Sequence, residues 1–285
     1  MNKRIIYTIC MYGQYEGWIG RVIEKFWERT TLKMMKEYAQ RTNSDFKVIM
    51  ARDSEFPKEI QNINILSHGR DSANYRKANL SKFFCIKDFI ESDYEEMLLL
   101  DVDTYICPSA KNIFLELDNN DIILPHGSPP DHKEKLIETL IEVYKSHSRK
   151  DYDELLKKYL SEELTFWGGG LILLNKKGAK PFAEHFPFDL EKFLLDRGFT
   201  EWPHHLTDES ILNAFILLNN VDVQKLDRTF ITAPQEDDNR PQLDEDSVET
   251  PLCRCRNSGA SFIHYWGDTK YKLFDLLENN EEEKK

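Results

Sequence analysis

The chain lacks any apolar stretch long enough to span a bilayer, and its N-terminal run Ile5 to Cys10 is too short for the core of a signal peptide. A soluble cytoplasmic protein is therefore expected. Cysteine is scarce and odd in number, five in 285 residues. Cys10, Cys85 and Cys107 sit in apolar runs and read as core residues in a reducing compartment. Cys253-Arg254-Cys255 has no second cysteine or histidine pair that would complete a zinc site. Positive charge is in deficit: 38 Lys and Arg against 50 Asp and Glu give a net charge of −12, which argues against a general nucleic-acid surface. Gly168-Gly169-Gly170 is too short and too tightly spaced for a phosphate loop or a dinucleotide fingerprint. No internal repeat is visible.

What the chain does have is a hydrophobic share of 40% and an aromatic share of 12%, enough for the core of one large α/β domain or two small ones. Much of the acid is local, in Gln235 to Asp238, Asp244 to Asp246 and the tail, and reads as solvated. Apolar, β-branched residues 4–10 predict a buried first strand. Ile19, Val22, Ile23, Phe26, Trp27, Thr30 and Met34 follow helical spacing and predict a helix over 17–41. Strands follow at Asp45 to Met50 and Asn62 to Leu66. Lys77 to Ile90 reads as a helix with Leu80, Phe83, Phe84, Ile86 and Phe89 inward. Further on, strands are expected at Asp121 to Leu124 and Gly169 to Leu174, and helices at 178–196 and from Asp208 through Leu218. A last helical turn or two is expected over Lys272 to Leu277. Alternation of strands and helices over the first hundred residues indicates βαβ units and a mainly parallel sheet flanked by helices.

Two motifs carry chemistry. Leu98-Leu99-Leu100-Asp101-Val102-Asp103 is an apolar strand ending in two carboxylates one residue apart. Two carboxylates brought together at a strand end repel each other, and a divalent cation relieves that. Oxygen ligands suit Mg²⁺ or Mn²⁺, metals that also hold substrate phosphates. Taken alone, the pair could equally be a surface turn. Near the C-terminus, the apolar strand-like run Ser261-Phe262-Ile263 leads into His264-Tyr265-Trp266-Gly267-Asp268-Thr269-Lys270, an H-x-x-G-x-x-K pattern. A neutral imidazole is a good metal ligand, Gly267 allows close backbone approach, and Lys270 suits a phosphate. A lone His in an aromatic strand is more often part of the packing. Both motifs in one chain favour a metal–diphosphate site.

In this combination the chain resembles the family 8 retaining glycosyltransferases, the family of glycogenin and the lipopolysaccharide galactosyltransferases. Two further stretches fall in the family's order. Trp167-Gly168-Gly169-Gly170-Leu171-Ile172-Leu173-Leu174-Asn175 resembles its F-N-S-G-V-x-L-I-N strand. Asp208-Glu209-Ser210-Ile211-Leu212-Asn213 resembles its D-Q-D-I-L-N helix start. The resemblance implies a GT-A fold, a Rossmann-like nucleotide-diphospho-sugar transferase architecture, as one domain over 1–275. That domain would carry a helical insertion at 126–165 and an acidic loop at 233–258. Residues 276–285 are expected to be a disordered tail.

It also implies a division of labour. Asp101, Asp103 and His264 would hold Mn²⁺ or Mg²⁺, and Lys270 and Gly267 would meet the diphosphate. Thr8 and Ile9, at the end of the first strand, and Tyr15 would bind the uracil of a UDP-sugar. Arg76 and Lys82, on the helix before the Asp strand, would touch donor phosphate or sugar. Val102 lies between the two acids. Gly169 and Gly170 would lie against the donor sugar. Asp208 and Glu209 would line the reacting face, and both stand where a helix N-cap is expected. Glu209 replaces the family's usual Gln, Ser210 replaces a further acid and Gly168 an Asn. The acceptor would be a glycan, a lipid-linked species or a protein.

Two other readings compete. An apolar strand ending D-x-D also opens haloacid-dehalogenase phosphatase sites, but those carry Thr or a small residue two places after the second Asp, where this chain has Tyr105. A non-catalytic nucleotide-sugar-binding module would account for the altered Asp208-Glu209-Ser210 stretch.

Overall fold

The computed structural model describes residues 2–11, 27–51, 73–125, 157, 166–200, 206–226, 230–232 and 259–264. The strand expected at 62–66, the first part of the helix expected at 17–41, and the acidic loop and tail fall outside them. So do nearly all of the expected insertion and the final helical turn.

β1 (Arg4–Met11) pairs in parallel with β2 (Asp45–Ala51) on one side and with β3 (Glu96–Asp101) on the other. The helices between them are α1 (Thr31–Arg41) and α2 (Ala73–Glu91). This is the βαβ arrangement the sequence predicts. β6 (Leu171–Asn175) then lies antiparallel between β3 and β5 (Ile122–Pro125), and β7 (Gln224–Leu226) pairs in parallel with β5. Among the described residues the sheet runs β2-β1-β3-β6-β5-β7. A second sheet, β4-β9-β8, unites β4 (Thr104–Ile106), β9 (Phe262–His264) and β8 (Phe230–Thr232).

Alternation along the strands feeds two cores. Ile5, Tyr7, Met97, Leu99, Ile172 and Leu174 face the layer of α2, α3 (Lys176–His185), α4 (Leu190–Leu195) and α5 (Asp208–Leu218). There Phe182 and Phe215 lie with ring centroids 4.5 Å apart, and Phe83 stacks on Phe186 at the same distance. Ile6, Leu98, Leu100, Leu171 and Leu173 face α1, the second sheet and a 3-10 turn at Ile113–Asp118. Each such fully buried Leu, Ile or Phe contributes about 1.5–3 kcal/mol. α5 is buried along most of its length, which is why its sequence is apolar nearly all round.

Three expectations are corrected. The helix expected over 178–196 is two helices. Pro187 forces Phe186 out of the helical region, to φ −79° and ψ 128°, and Asp189 restarts the chain by accepting from the Lys192 N–H. The cap of α5 is Thr207 rather than Asp208 or Glu209: its hydroxyl accepts from the Ser210 N–H at 3.1 Å while the Ser210 hydroxyl accepts from the Thr207 N–H at 2.8 Å. Cys10, Cys85 and Cys107 are buried in the core as expected, but Cys107 is disulfide-bonded there rather than a thiol. A half-cystine packs as well among apolar neighbours as a thiol does, so its setting in the sequence did not distinguish them. Among the described residues no helix is long and apolar enough to cross a membrane.

Candidate functional site

In an open sheet of this kind the strand ends and the loops beyond them form the natural crevice. β1 and β3 end side by side, with Ile9 paired to Asp101 and Thr8 to Leu100. β6 runs the opposite way, so the glycines ahead of it arrive at the same end. The Asp101 N–H donates to the Gly170 carbonyl at 3.0 Å. The chain leaves β3, turns through Val102 and Asp103, and enters β4 at Thr104. There Thr104 pairs with His264 of β9, and Thr232 of β8 pairs with His264 from the other side. Asp101 from the large sheet and His264 from the small one meet across this seam.

The imidazole Nε2 lies 3.1 Å from Asp103 Oδ1 and 3.6 Å from Asp101 Oδ2. One ligand atom from each residue lies within 4.8 Å of the others. Two carboxylate oxygens and an imidazole nitrogen are a donor set that fits Mn²⁺ or Mg²⁺, with coordination positions left for phosphate or water. Burial pulls the His264 pKa down, but the Asp103 and Asp101 carboxylates outweigh it and the net direction is up. Burial pushes Asp101 up, the Lys82 ammonium and His264 pull the other way, and the net direction is again up.

Lys82 reaches into the cluster from α2. Its Nζ lies 2.8 Å from Asp101 Oδ1 and 2.7 Å from Asp208 Oδ2, and donates to the Gly169 carbonyl at 3.2 Å. The side chain is 9% exposed. Burial works against its charge, but the two carboxylates hold its pKa well above the ordinary lysine value. Since Thr207 caps α5, the Asp208 carboxylate is not spent on its own helix and turns to Lys82 instead. Glu209, on the same first turn, accepts from the Gly169 N–H at 3.1 Å. Asn213, one turn later, ties the arrangement to the loop. Its amide donates to the Glu209 and Trp167 carbonyls at 2.8 and 2.9 Å and accepts from the Trp167 N–H at 2.8 Å.

The structure thus brings together Asp101, Asp103, His264, Lys82, Gly169, Gly170, Asp208 and Glu209, with Thr8, Ile9 and Val102 at the adjoining strand ends. Val102 is buried in the core beneath. Thr8 is fully buried, and its hydroxyl finds no hydrogen-bond partner among the described residues. Arg76 lies on the first part of α2. Tyr15, Gly267 and Lys270 lie outside the described residues. Two supporting side chains had no assigned role in the sequence reading, Thr207 and Asn213. A Thr three residues before a Ser marks the cap, and Asn213 follows Glu209 at i+4, on the same face of the helix.

No family model matches the chain, and no curated protein matches it. Solved structures do. Mouse xyloside xylosyltransferase 1, in its apo form, aligns over 93% of this chain and 98% of its own, at 10% identity and a TM-score of 0.50. The apo bifunctional glycosyltransferase WbbM aligns over 94% of this chain at 15% identity and a TM-score of 0.49, and the match spans 46% of WbbM. The galactosyltransferase LgtC, solved with donor and acceptor sugar analogues, aligns over 96% of this chain and 95% of its own at 13% identity and a TM-score of 0.43. The chain has a GT-A glycosyltransferase fold.

Proposed function

We propose that the protein is a metal-dependent retaining glycosyltransferase, transferring a sugar from a UDP-sugar to a hydroxyl of a glycan, lipid-linked or protein acceptor. The observation that carries this reading is the convergence of Asp101, Asp103 and His264 at the strand ends, one ammonium away from the Asp208–Glu209 turn. The likeness of fold to glycosyltransferases supports it.

In this reading Asp101, Asp103 and His264 Nε2 hold Mn²⁺ or Mg²⁺. When bound, the metal neutralises charge on the departing diphosphate. Lys270 adds a second cation to that diphosphate, beside the Gly267 backbone. Thr8, Ile9 and Tyr15 take the base, and Arg76 the donor phosphate. Lys82 and Asp208 are fixed by each other and offer a donor and an acceptor to sugar hydroxyls. Gly169 and Gly170 let the sugar lie close to the backbone. Glu209, steered by the Gly169 N–H, places negative charge where an oxocarbenium-like centre develops. Attack from the leaving-group face then gives retention.

The test is a panel of nucleotide-sugars incubated with Mn²⁺ and read as nucleotide diphosphate release, beside Asp103→Ala. Release from one UDP-sugar, lost in the variant, is expected. Binding of UDP and Mn²⁺ without release, even with candidate acceptors added, would favour a binding module. Hydrolysis of a simple phosphomonoester with no nucleotide present would favour a phosphatase.

A further inference from the structure

Gly170 touches two of the three residues of the metal triad in different ways. Its carbonyl accepts from the Asp101 N–H at 3.0 Å. Its Cα lies under the imidazole of His264: a Cβ built at Gly170 would stand 2.8 Å from Nδ1, 2.9 Å from Cε1 and 3.3 Å from Cγ. The backbone gives no other reason for glycine here. Among the described residues the glycines with positive φ are Gly198 and Gly259, so Gly170 holds a conformation that any L-residue can adopt.

We propose that Gly170 is a positioning residue for the metal centre: the absence of its side chain is what allows His264 to turn Nε2 toward Asp101 and Asp103. The Nδ1–Cε1 edge of the ring lies over Gly170, and Nε2, the next atom round, faces the carboxylates. Neither backbone can yield. Gly170 is tied to β3 through Asp101, and His264 is paired on both sides, to Thr104 and Thr232. A methyl group at 170 must therefore move the ring. Opening 2.8 Å to the ordinary contact of 3.4 Å takes about 0.6 Å. Metal–ligand distances tolerate only about 0.2 Å. Gly169 has a separate task. A Cβ there would stand 3.1 Å from Glu209 Cγ, 3.2 Å from Asp208 Oδ2 and 3.6 Å from Lys82 Nζ, so its nearest neighbours are these and not His264. The two adjacent glycines serve two different groups.

This inference rests on the metal reading above, and Mn²⁺ calorimetry on the full chain separates the two. Gly170→Ala is expected to weaken Mn²⁺ binding about 10–100-fold, as losses of a ligand's supporting contacts do. Lys177→Met, at an exposed side chain of α3 paired with Asp121, is expected to leave Mn²⁺ affinity within about twofold. In a His264→Ala background the clash is gone, so Gly170→Ala is expected to change Mn²⁺ affinity no further. If Gly170→Ala alone fails to fold while the double variant folds, the same steric contact is responsible. If Gly170→Ala binds Mn²⁺ as well as the unaltered chain, the inference is wrong. An equal loss in the His264→Ala background, or a double variant that also fails to fold, overturns it too. If the unaltered chain itself does not bind Mn²⁺, the metal reading fails and takes this inference with it.

Discussion

Replacing Lys82 by methionine keeps the length of the side chain and removes its charge. The ammonium lies within 3.0 Å of oxygens from both Asp101 and Asp208, and donates to the Gly169 carbonyl at 3.2 Å. Breaking a buried pair by removing one partner costs about 3–5 kcal/mol, because the other partner is left charged and unpaired. Here two carboxylates lose one cation. The Asp101 side chain is 24% exposed and Asp208 12%, so water softens the loss, and the lower end, about 3 kcal/mol, is the expectation. With a urea slope of about 3 kcal/mol per molar for a chain of this size, the midpoint falls by about 1 M. The measurement is tryptophan fluorescence against urea, in EDTA, at about pH 7.5 and again at about pH 5. Acid should narrow the gap. Burial already raises the Asp101 pKa, and losing Lys82 removes a cation that opposed that shift. A carboxyl raised in the folded state is penalised fully at high pH, and the penalty fades as pH falls toward the ordinary value of 3.8. A midpoint shift below about 0.2 M at neutral pH, or a gap that widens on acidification, would refute the argument.

Thr207→Ala should cost about 1 kcal/mol through the lost cap and, if the proposed function holds, lower sugar transfer by loosening the turn that carries Asp208 and Glu209, whereas Thr207→Ser should keep both. Lys176 donates to the Phe89, Ile90 and Ser92 carbonyls at 2.6, 3.0 and 2.7 Å, closing the end of α2. Lys176→Met should cost about 1–2 kcal/mol and speed hydrogen exchange in the last turn of α2, while its exposed neighbour Lys177 can be changed to Met with no shift of the unfolding midpoint. Burial pushes Tyr38 up to about 12 from its ordinary 10.0. Its folded-state preference for the protonated phenol is harmless below pH 10 and costs stability between about 10 and about 12, where the unfolded chain ionises first. Tyr38→Phe should flatten that alkaline decline in urea midpoint. At neutral pH it should cost about 1–2 kcal/mol, since the Tyr38 hydroxyl donates to the Lys111 carbonyl and accepts from the Ile113 N–H.

Local pattern was enough for much of the fold. The β-branched run at β1, the four leucine and methionine residues leading to Asp101, and the apolar stretch from Leu171 to Leu174 could scarcely be anything but buried strands. α5 was legible to its ends because Asp208 opens a long apolar run that stops at Leu218. The proline break in the 178–196 segment was legible in principle, since Pro187 sits in plain view. What local pattern does not encode is which distant residues meet. Lys82 and Gly169 are 87 positions apart, and Asp101 and Lys82 are 19 apart, yet one ammonium serves both contacts. Their meeting depends on α2 lying across the strand ends, which is a matter of packing. The small sheet was only partly legible: the strand-like run before His264 marks β9, but β4 and β8 have three residues each, too few for alternation to register. The Cys107 bond was hidden because a sequence gives spacings and not distances.

The triad straddles two hydrogen-bonded layers that share no strand: Asp101 ends one, and His264 ends a three-residue strand of the other. An ion gripped by both, as the proposed function requires, would act as a rivet. Without it, the little sheet is held by its own short ladders and by the burial of Phe262 and Ile263 in the core. With it, peeling β9 away must also break a coordination bond. Occupancy would then be read as local rigidity: amide exchange at Ile263 and His264 would slow by a factor that grows with the free ion concentration over its Kd, while exchange deep in β1 stays as it was.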